Sequence, residues 1–368
     1  MGLLDLFSDS FREPAECVIK VDGEEITDFY PFLTEVTADS GRQISTEATL
    51  RFEIRRDEHG RWTVLDDEVF IPWAPIVIEA AFGSRTEEVM RGYVRQVDVD
   101  YPEQQNAATL TVQCRDESLR LDREHVRVVW GTEEEPVSDE DIVQQIADKY
   151  GLSPDPDNGA GQSELVQQNQ DSTDIAYLRR RAEANGYELL FEAGHVYFGP
   201  MRLDAEPQPT INVYAGQSTN CLRFSTRFDG HQPDQVAFEL AEPEGAGVTE
   251  VVVEPDLPLL GTRSADSGAA GLEAFTWRMS KEGGRNEEEL TALAQRKANE
   301  FALKLNAEGE LDGTLYGYVL RVGLPVRVDG VGESMGGVYY VDEVNHRFDA
   351  EGYRQAFRLL RNAYGDDA

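Results

Sequence analysis

The stretch Pro75–Arg115, "PIVIEAAFGSRTEEVMRGYVRQVDVDYPEQQNAATLTVQCR", carries the reading of the fold. Apolar and polar residues alternate along it at the two-residue period of half-buried strands, with breaks at Gly83 and Pro102. A second stretch, Leu324–Arg361, "LPVRVDGVGESMGGVYYVDEVNHRFDAEGYRQAFRLLR", runs in the same order. Each has a strand, a polar turn, and a glycine leading a Tyr/Val-rich strand that ends in Val-Asp or Val-Asn. A turn and a last strand with Arg near its end follow. Gly92 matches Gly337, and Val97 matches Val344 less closely. Identity is thin; order and lengths carry the match. The first set of strands alone reads as an antiparallel barrel or sandwich. A true repeat makes it one of two related barrels.

Outward from these stretches the character changes. Residues 1–13 read as a flexible N-terminus, and 14–128 as the first tube-type barrel. Residues 129–200 read as a helix and helix-hairpin α/β domain. In "SDEDIVQQIADKYG", Ser138 caps a helix with acid in its first turn, Ile142, Val143, Ile146 and Tyr150 face inward, and Gly151 ends it. "STDIAYLRRRAEANGYELLFEAGHVYFGP" (Ser172–Pro200) is a capped helix with Tyr177, Leu178 and Ala182 on one face. Asn185-Gly186 stops it, and a hairpin turns at Glu192-Ala193-Gly194. Residues 201–249 are strands completing a barrel or sheet, 250–312 an excursion and long helix, and 313–365 the second barrel. Asn286 and Glu289 form a capping box for that helix, and Leu290, Leu293, Ala294, Phe301, Ala302 and Leu305 make its apolar stripe. Within 243–285 the chain is rich in Gly, Ser, Pro and acid, so it is a long ordered excursion or partly mobile. The class is α+β, mostly β.

Composition bounds the chemistry. The 368 residues carry Asp+Glu 70 against Lys+Arg 34, a net charge of −36. The lysines are Lys20, Lys149, Lys281, Lys297 and Lys304; the other cations are arginines. Acid spread along a chain with scarce Lys fits a salt-in halophile, where molar salt screens self-repulsion. It argues against a surface built to grip nucleic acid. No run approaches the roughly 20 apolar residues of a membrane helix, and "MGLLDLFSDSF" lacks the features of a signal peptide. Cys17, Cys114 and Cys221 lie far apart with no CxxC, as buried small hydrophobes do in a reducing compartment.

No catalytic constellation rises above this background. "GVGESMGG" (Gly330–Gly337) precedes a strand and not a helix, which fits a hairpin turn better than a phosphate loop. "GAGQSE" (Gly159–Glu164) is a loop. "DPDNG" (Asp155–Gly159) breaks the EF-hand order and reads as a solvated turn. His59, His125, His195, His231 and His346 have no paired spacing for zinc. The expectation is no enzyme, no metal and no cofactor.

The order of the pieces resembles the phage late control protein D family, baseplate hubs of contractile tails, which are similar to the hub portion of VgrG proteins. The resemblance rests on Asp139–Phe198 and Gly313–Arg361, the latter with "PVRV", a Gly-containing turn, "YYVDEVNH" and "GY". It implies a homotrimer with two tube-type barrels per chain, a pseudo-six-fold ring between a hexameric tail tube protein and a trimeric spike. Because the sequence stops at "RNAYGDDA", the spike is expected to be a separate polypeptide. Other baseplate proteins are further partners, DNA or cargo passes through the lumen without specific binding, and no membrane anchoring is expected. The expected location is a virion or injection-particle baseplate assembled in the cytoplasm of a halophilic host. For interfaces, the strands near Gly92–Val99 and Gly337–Val344 stand out, with Gly92, Tyr93, Val94, Val97, Gly337, Tyr339, Val341 and Val344 joining barrels edge to edge. The competing reading of those strands is core only. Two rival functions are a cell-wall-binding module or wall hydrolase, from the LysM-like helix "IVQQIADKYGL", and an extracellular β-rich adhesin, which calls for a signal peptide.

Overall fold

The computed structural model describes residues 14–103, 108–132, 134–158, 164–165, 168–241, 248–266, 268, 271–280 and 287–366. Expectations for residues 1–13, for Asn286, for most of "GAGQSE" and for parts of 243–285 lie outside the described residues, as does the Glu289 side chain. The alternating stretches form β1 (Glu16–Val21), β2 (Leu33–Gly41), β3 (Ile44–Ile54), β4 (Pro75–Phe82), β5 (Arg85–Asp100) and β6 (Ala108–Asp116). An α/β unit follows: β7 (His125–Trp130), α1 (Asp139–Tyr150), β8 (Gln168–Thr173), α2 (Asp174–Asn185), β9 (Glu188–Glu192) and β10 (His195–Gly199). Then come β11 (Gln208–Asn212), β12 (Cys221–Phe228), β13 (Gln235–Ala241), β14 (Val248–Val253), β15 (Thr276–Arg278) and α3 (Glu287–Ala302). The chain closes with β16 (Leu305–Asp312), β17 (Pro325–Asp329), β18 (Gly337–Asp349) and β19 (Gly352–Arg361).

Local signals place the α/β unit. Ser138 and Asp141 form a capping box on α1, and Gly151 takes the left-handed conformation at its end. Thr173 caps α2, and Gly186, at φ 68°, ends it. Ala193 and Gly194 both have positive φ and turn β9 into β10. The apolar faces of α1 and α2 meet Val196 and Phe198 of the hairpin in one core.

Among the described residues, thirteen strands share one sheet, in the order β12-β16-β19-β18-β2-β3-β6-β5-β4-β1 and then the short strand Glu24–Glu25; β17 branches from β18, and β11 from β17. It covers two apolar cores. One is built from β1 to β6, with Ile19, Leu50, Phe52 and Ile78 at its centre. The other is built from β11, β12 and β16 to β19, with Leu305, Val326, Tyr339 and Leu359. Where two related antiparallel tube-type barrels were expected, the strands form one large, mostly antiparallel sheet. The sheet is continuous, because β18 is 13 residues long and β17 only 5, so Glu343–Phe348 extend past β17. Their free backbone groups pair with Val36–Gly41 of β2. It is also not wholly antiparallel: β11 runs parallel to β17. The long chain between them supplies the crossover that parallel pairing requires.

The two halves repeat each other's order. The series β2-β3-β6-β5-β4-β1 corresponds to β12-β16-β19-β18-β17-β11. Each carries a one-residue bulge at the same point, between Val94 and Gln96 in β5 and between Val341 and Glu343 in β18. Each bulge is flanked by the same pair of bonds. Trp73 N donates to Val94 O and Val94 N to Ala74 O; Gly323 N donates to Val341 O and Val341 N to Leu324 O. Counted from the bulge, Val97 is level with Val344. Gly92 is level with Tyr339, however, and Gly337 with Met90, so the two glycines are not equivalent.

A three-stranded sheet of β14, β13 and β15 packs under α3 through Val236, Phe238, Ala294 and Ala298. Helix α3 stops at Ala302, short of the expected stripe. Leu305 belongs to β16 and to the second core, where pairing with β12 and β19 outweighs helix propensity. Among the described residues no helix is long and apolar enough to cross a membrane.

Candidate functional site

The place where the most distant parts of the chain meet is built on Arg42, in the turn between β2 and β3. Its Nε donates to Asp342 Oδ1 (2.7 Å) and its Nη1 to Glu188 Oε1 (2.9 Å). The Tyr340 hydroxyl donates to Glu188 Oε2 (2.7 Å), and the Gly323 carbonyl lies 2.9 Å from it. Arg358 Nε donates to Asp342 Oδ2 (2.6 Å), and Arg202 N donates to Tyr340 Oη (3.1 Å). First half, α/β unit and second half are thus tied through one buried charge cluster. Burial pulls the Arg42 guanidinium down, but Glu188 and Asp342 more than offset it and hold it above its usual value. Burial, then Glu188, pushes the Tyr340 phenol up. Sequence patterning missed this cluster, because the partners of Arg42 lie 146 and 300 residues away.

A second polar group joins β6 to the α/β unit. Asp116 accepts from Thr46 N (2.6 Å) and Ser118 N (3.1 Å), and Glu117 Oε2 accepts from Gly194 N (3.2 Å) in the β9–β10 turn. Burial pushes the Asp116 carboxyl up to about 6, against its hydrogen bonds, and the Glu117 carboxyl up to about 7. Both bind protons more tightly folded than unfolded. Their effect is a loss of stability as pH rises from about 4 through 6 to 7. His346, buried and held down at about 3 by desolvation, acts in the opposite sense, losing stability as pH falls below 6.5. The expected result is that Asp116→Asn removes part of the decline between pH 4 and 6. The difference between the urea midpoints of variant and native chain, measured across that range, checks it.

The residues expected at interfaces occupy two kinds of position. Val94, Tyr339, Val341 and Val344 are buried within the chain, as are Gly92 and Gly337, while Tyr93 and Val97 are half-buried. Gly92 and Tyr93 are laddered on both sides, by β4 and β6. Val344 is laddered by β19 and β2. Past Val94, by contrast, β5 pairs only with β6, and Gln96–Asp100 have no backbone partner on the other side among the described residues.

Nothing in these groups resembles a reaction centre. Among the described residues no group of three or more His, Cys, Asp or Glu could hold a metal ion. Asp155 and Asn158 accept from Asp157 N and Phe198 N, as a turn pinned to the hairpin. Gly330–Gly337 is a turn leading into β18. The three cysteines are free, and burial pushes the Cys17 and Cys114 thiols up to about 12. A cleft of about 1060 Å³ lies over the Arg42 cluster, and Arg296 and Glu183 pair across it (3.2 Å).

A family model described as the Alg8 N-terminal domain matches residues 12–350. No curated protein matches the sequence. Among solved structures, the fold is similar to the 43 kDa tail protein of prophage MuSo2 from Shewanella oneidensis, with a TM-score of 0.70 at 14% identity, over 94% of this chain and 98% of that one. It is similar to a tail protein from Neisseria meningitidis, with a TM-score of 0.66 at 14% identity, over 95% and 97%. It is also similar to an Escherichia coli protein described as a component of the type VI secretion system, with a TM-score of 0.53 at 10% identity, over 96% and 78%.

Proposed function

We propose that this chain, which belongs to the family described as the Alg8 N-terminal domain, is a structural hub of a phage-type tail or related injection particle, a reading drawn from its fold and not from that family description. Three copies form a ring whose two sheet halves per chain act as two tube-type barrels, giving six similar units. One face of the ring meets a hexameric tail tube and the other a trimeric spike, with other baseplate proteins around it. DNA or cargo passes through the lumen unbound, and the role is mechanical, not catalytic. The observation that carries the reading is the repeated strand order with its shared bulge, since symmetry matching calls for two similar units in one chain. The net charge of −36 supports assembly in a halophile, on virion or particle.

Light scattering in ~2–3 M KCl, where the Debye length is ~3 Å or less, tests the ring. The expected mass is about three times that of the 41.2 kDa chain. A folded chain that stays single in that salt, alone and with its spike protein, overturns the reading.

A further inference from the structure

We propose that the open edge Gln96–Tyr101 of one copy pairs antiparallel with Phe224–Asp229 of a second copy, placing Asp98 opposite Arg227. This deepens the hub reading and rests on it, by naming which edges meet and in which register.

The register follows from the junction already inside the chain. Glu343–Phe348, just past the β18 bulge, pair with β2, and His346 stands opposite Ala38. Gln96–Tyr101 stand just past the matching bulge in β5, so Val99 is level with His346. On the other side, Ala38 connects through Ala48 and Cys114 to Val94. Thr226 connects in the same way through Ala307 and Leu359 to Val341. Since Val94 and Val341 are level, Thr226 of β12 is the counterpart of Ala38. Repeating the internal junction between copies sets Thr226 opposite Val99, Phe228 opposite Val97 and Arg227 opposite Asp98.

The side chains fit that register. Val97 and Val99 pack toward the first core and Phe224 toward the second, so apolar residues meet on one face. On the other face Asp98, exposed, meets Arg227, whose side chain is 80% exposed and lies 3.8 Å from the Asp229 carboxylate. β12 is eight residues long, contains no Pro or Lys and leaves Leu222 and Phe228 exposed. It ladders only with β16 among the described residues. Long unprotected edges of this kind invite another strand. The two edges differ, so the contact is head-to-tail, and in the proposed ring each copy offers one edge and receives the other.

The test places cysteines at Asp98→Cys and Arg227→Cys in one chain, oxidised gently in ~2–3 M KCl. Directly opposed residues in an antiparallel pair lie roughly 4.5–5.5 Å apart at Cα, within disulfide reach. The expected result is covalent species of two and three chains on a non-reducing gel, with each single variant remaining at one. A control pair, Asp39→Cys with Asn345→Cys, closes within one chain, because these residues oppose each other in the internal junction. Asp98→Arg alone is expected to weaken association about five-fold, and Arg227→Asp in the same chain to restore it. A particle of native mass in which the control pair closes and the test pair does not overturns this pairing and leaves the ring standing. A native chain that never assembles overturns the ring and the pairing with it.

Discussion

Arg42→Leu is expected to destabilise the chain by about 3–5 kcal/mol, the loss that follows when one partner of a buried ion pair is removed. The substitution leaves Glu188, whose side chain is 5% exposed, facing Asp342, at 9%, with no cation between them. The loss is unequal. Asp342 keeps Arg358, whereas Glu188 keeps only the Tyr340 hydroxyl. Detachment of the α/β unit should therefore come first. Hydrogen exchange in β9 and β10 is expected to accelerate more than in β18. Adding Glu188→Gln to the Arg42→Leu chain neutralises the orphaned charge and should recover part of the loss, read as a rise in urea midpoint at constant KCl. A midpoint unchanged by Arg42→Leu would mean that the cluster carries no net stability.

Gly92→Ala is expected to lower stability by about 3 kcal/mol, at the upper end for overpacking. A Cβ at Gly92 would lie 2.0 Å from Arg115 O and 2.7 Å from Asp116 Cα. Both are backbone atoms of the neighbouring strand, so no side chain can rotate away and β5 must separate from β6. The open edge begins four residues later, and the variant should lose assembly together with stability. Thermal unfolding and light scattering on the same samples check both.

Much of the fold is legible because it is local. Strand alternation, the Ser138 cap, the stop at Gly186 and the Ala193-Gly194 turn each depend on residues a few places apart. The parallel β11–β17 pair and the Arg42 cluster are not legible, since neither leaves a pattern within a window of sequence. Alternation in β18 marks Tyr339 and Val341 as facing inward, but it cannot distinguish a face turned to the chain's own core from one turned to a partner. The repeat drew attention to Gly92 through a false equivalence with Gly337. Its actual constraint is the backbone of β6, which only the paired structure reveals. The proposed interface uses β5, one of the two strands that the repeat marked. Which part of it lies open depends on where β4 ends, and that is a property of the sheet.

The interleaving of the two halves has a consequence for synthesis on the ribosome. Phe348 and Tyr353 complete the core built by β1 to β6, stacked 4.1 Å apart, and Asn345 meets Asp39 across 306 residues of chain. At ~5–20 residues per second, those residues emerge on the order of fifteen seconds to a minute after Asp39. Throughout that interval the nascent chain holds β2 with its outer edge bare and its first core unfinished. Translation speed across the middle of the message therefore sets how long the unfinished sheet is open to wrong partners.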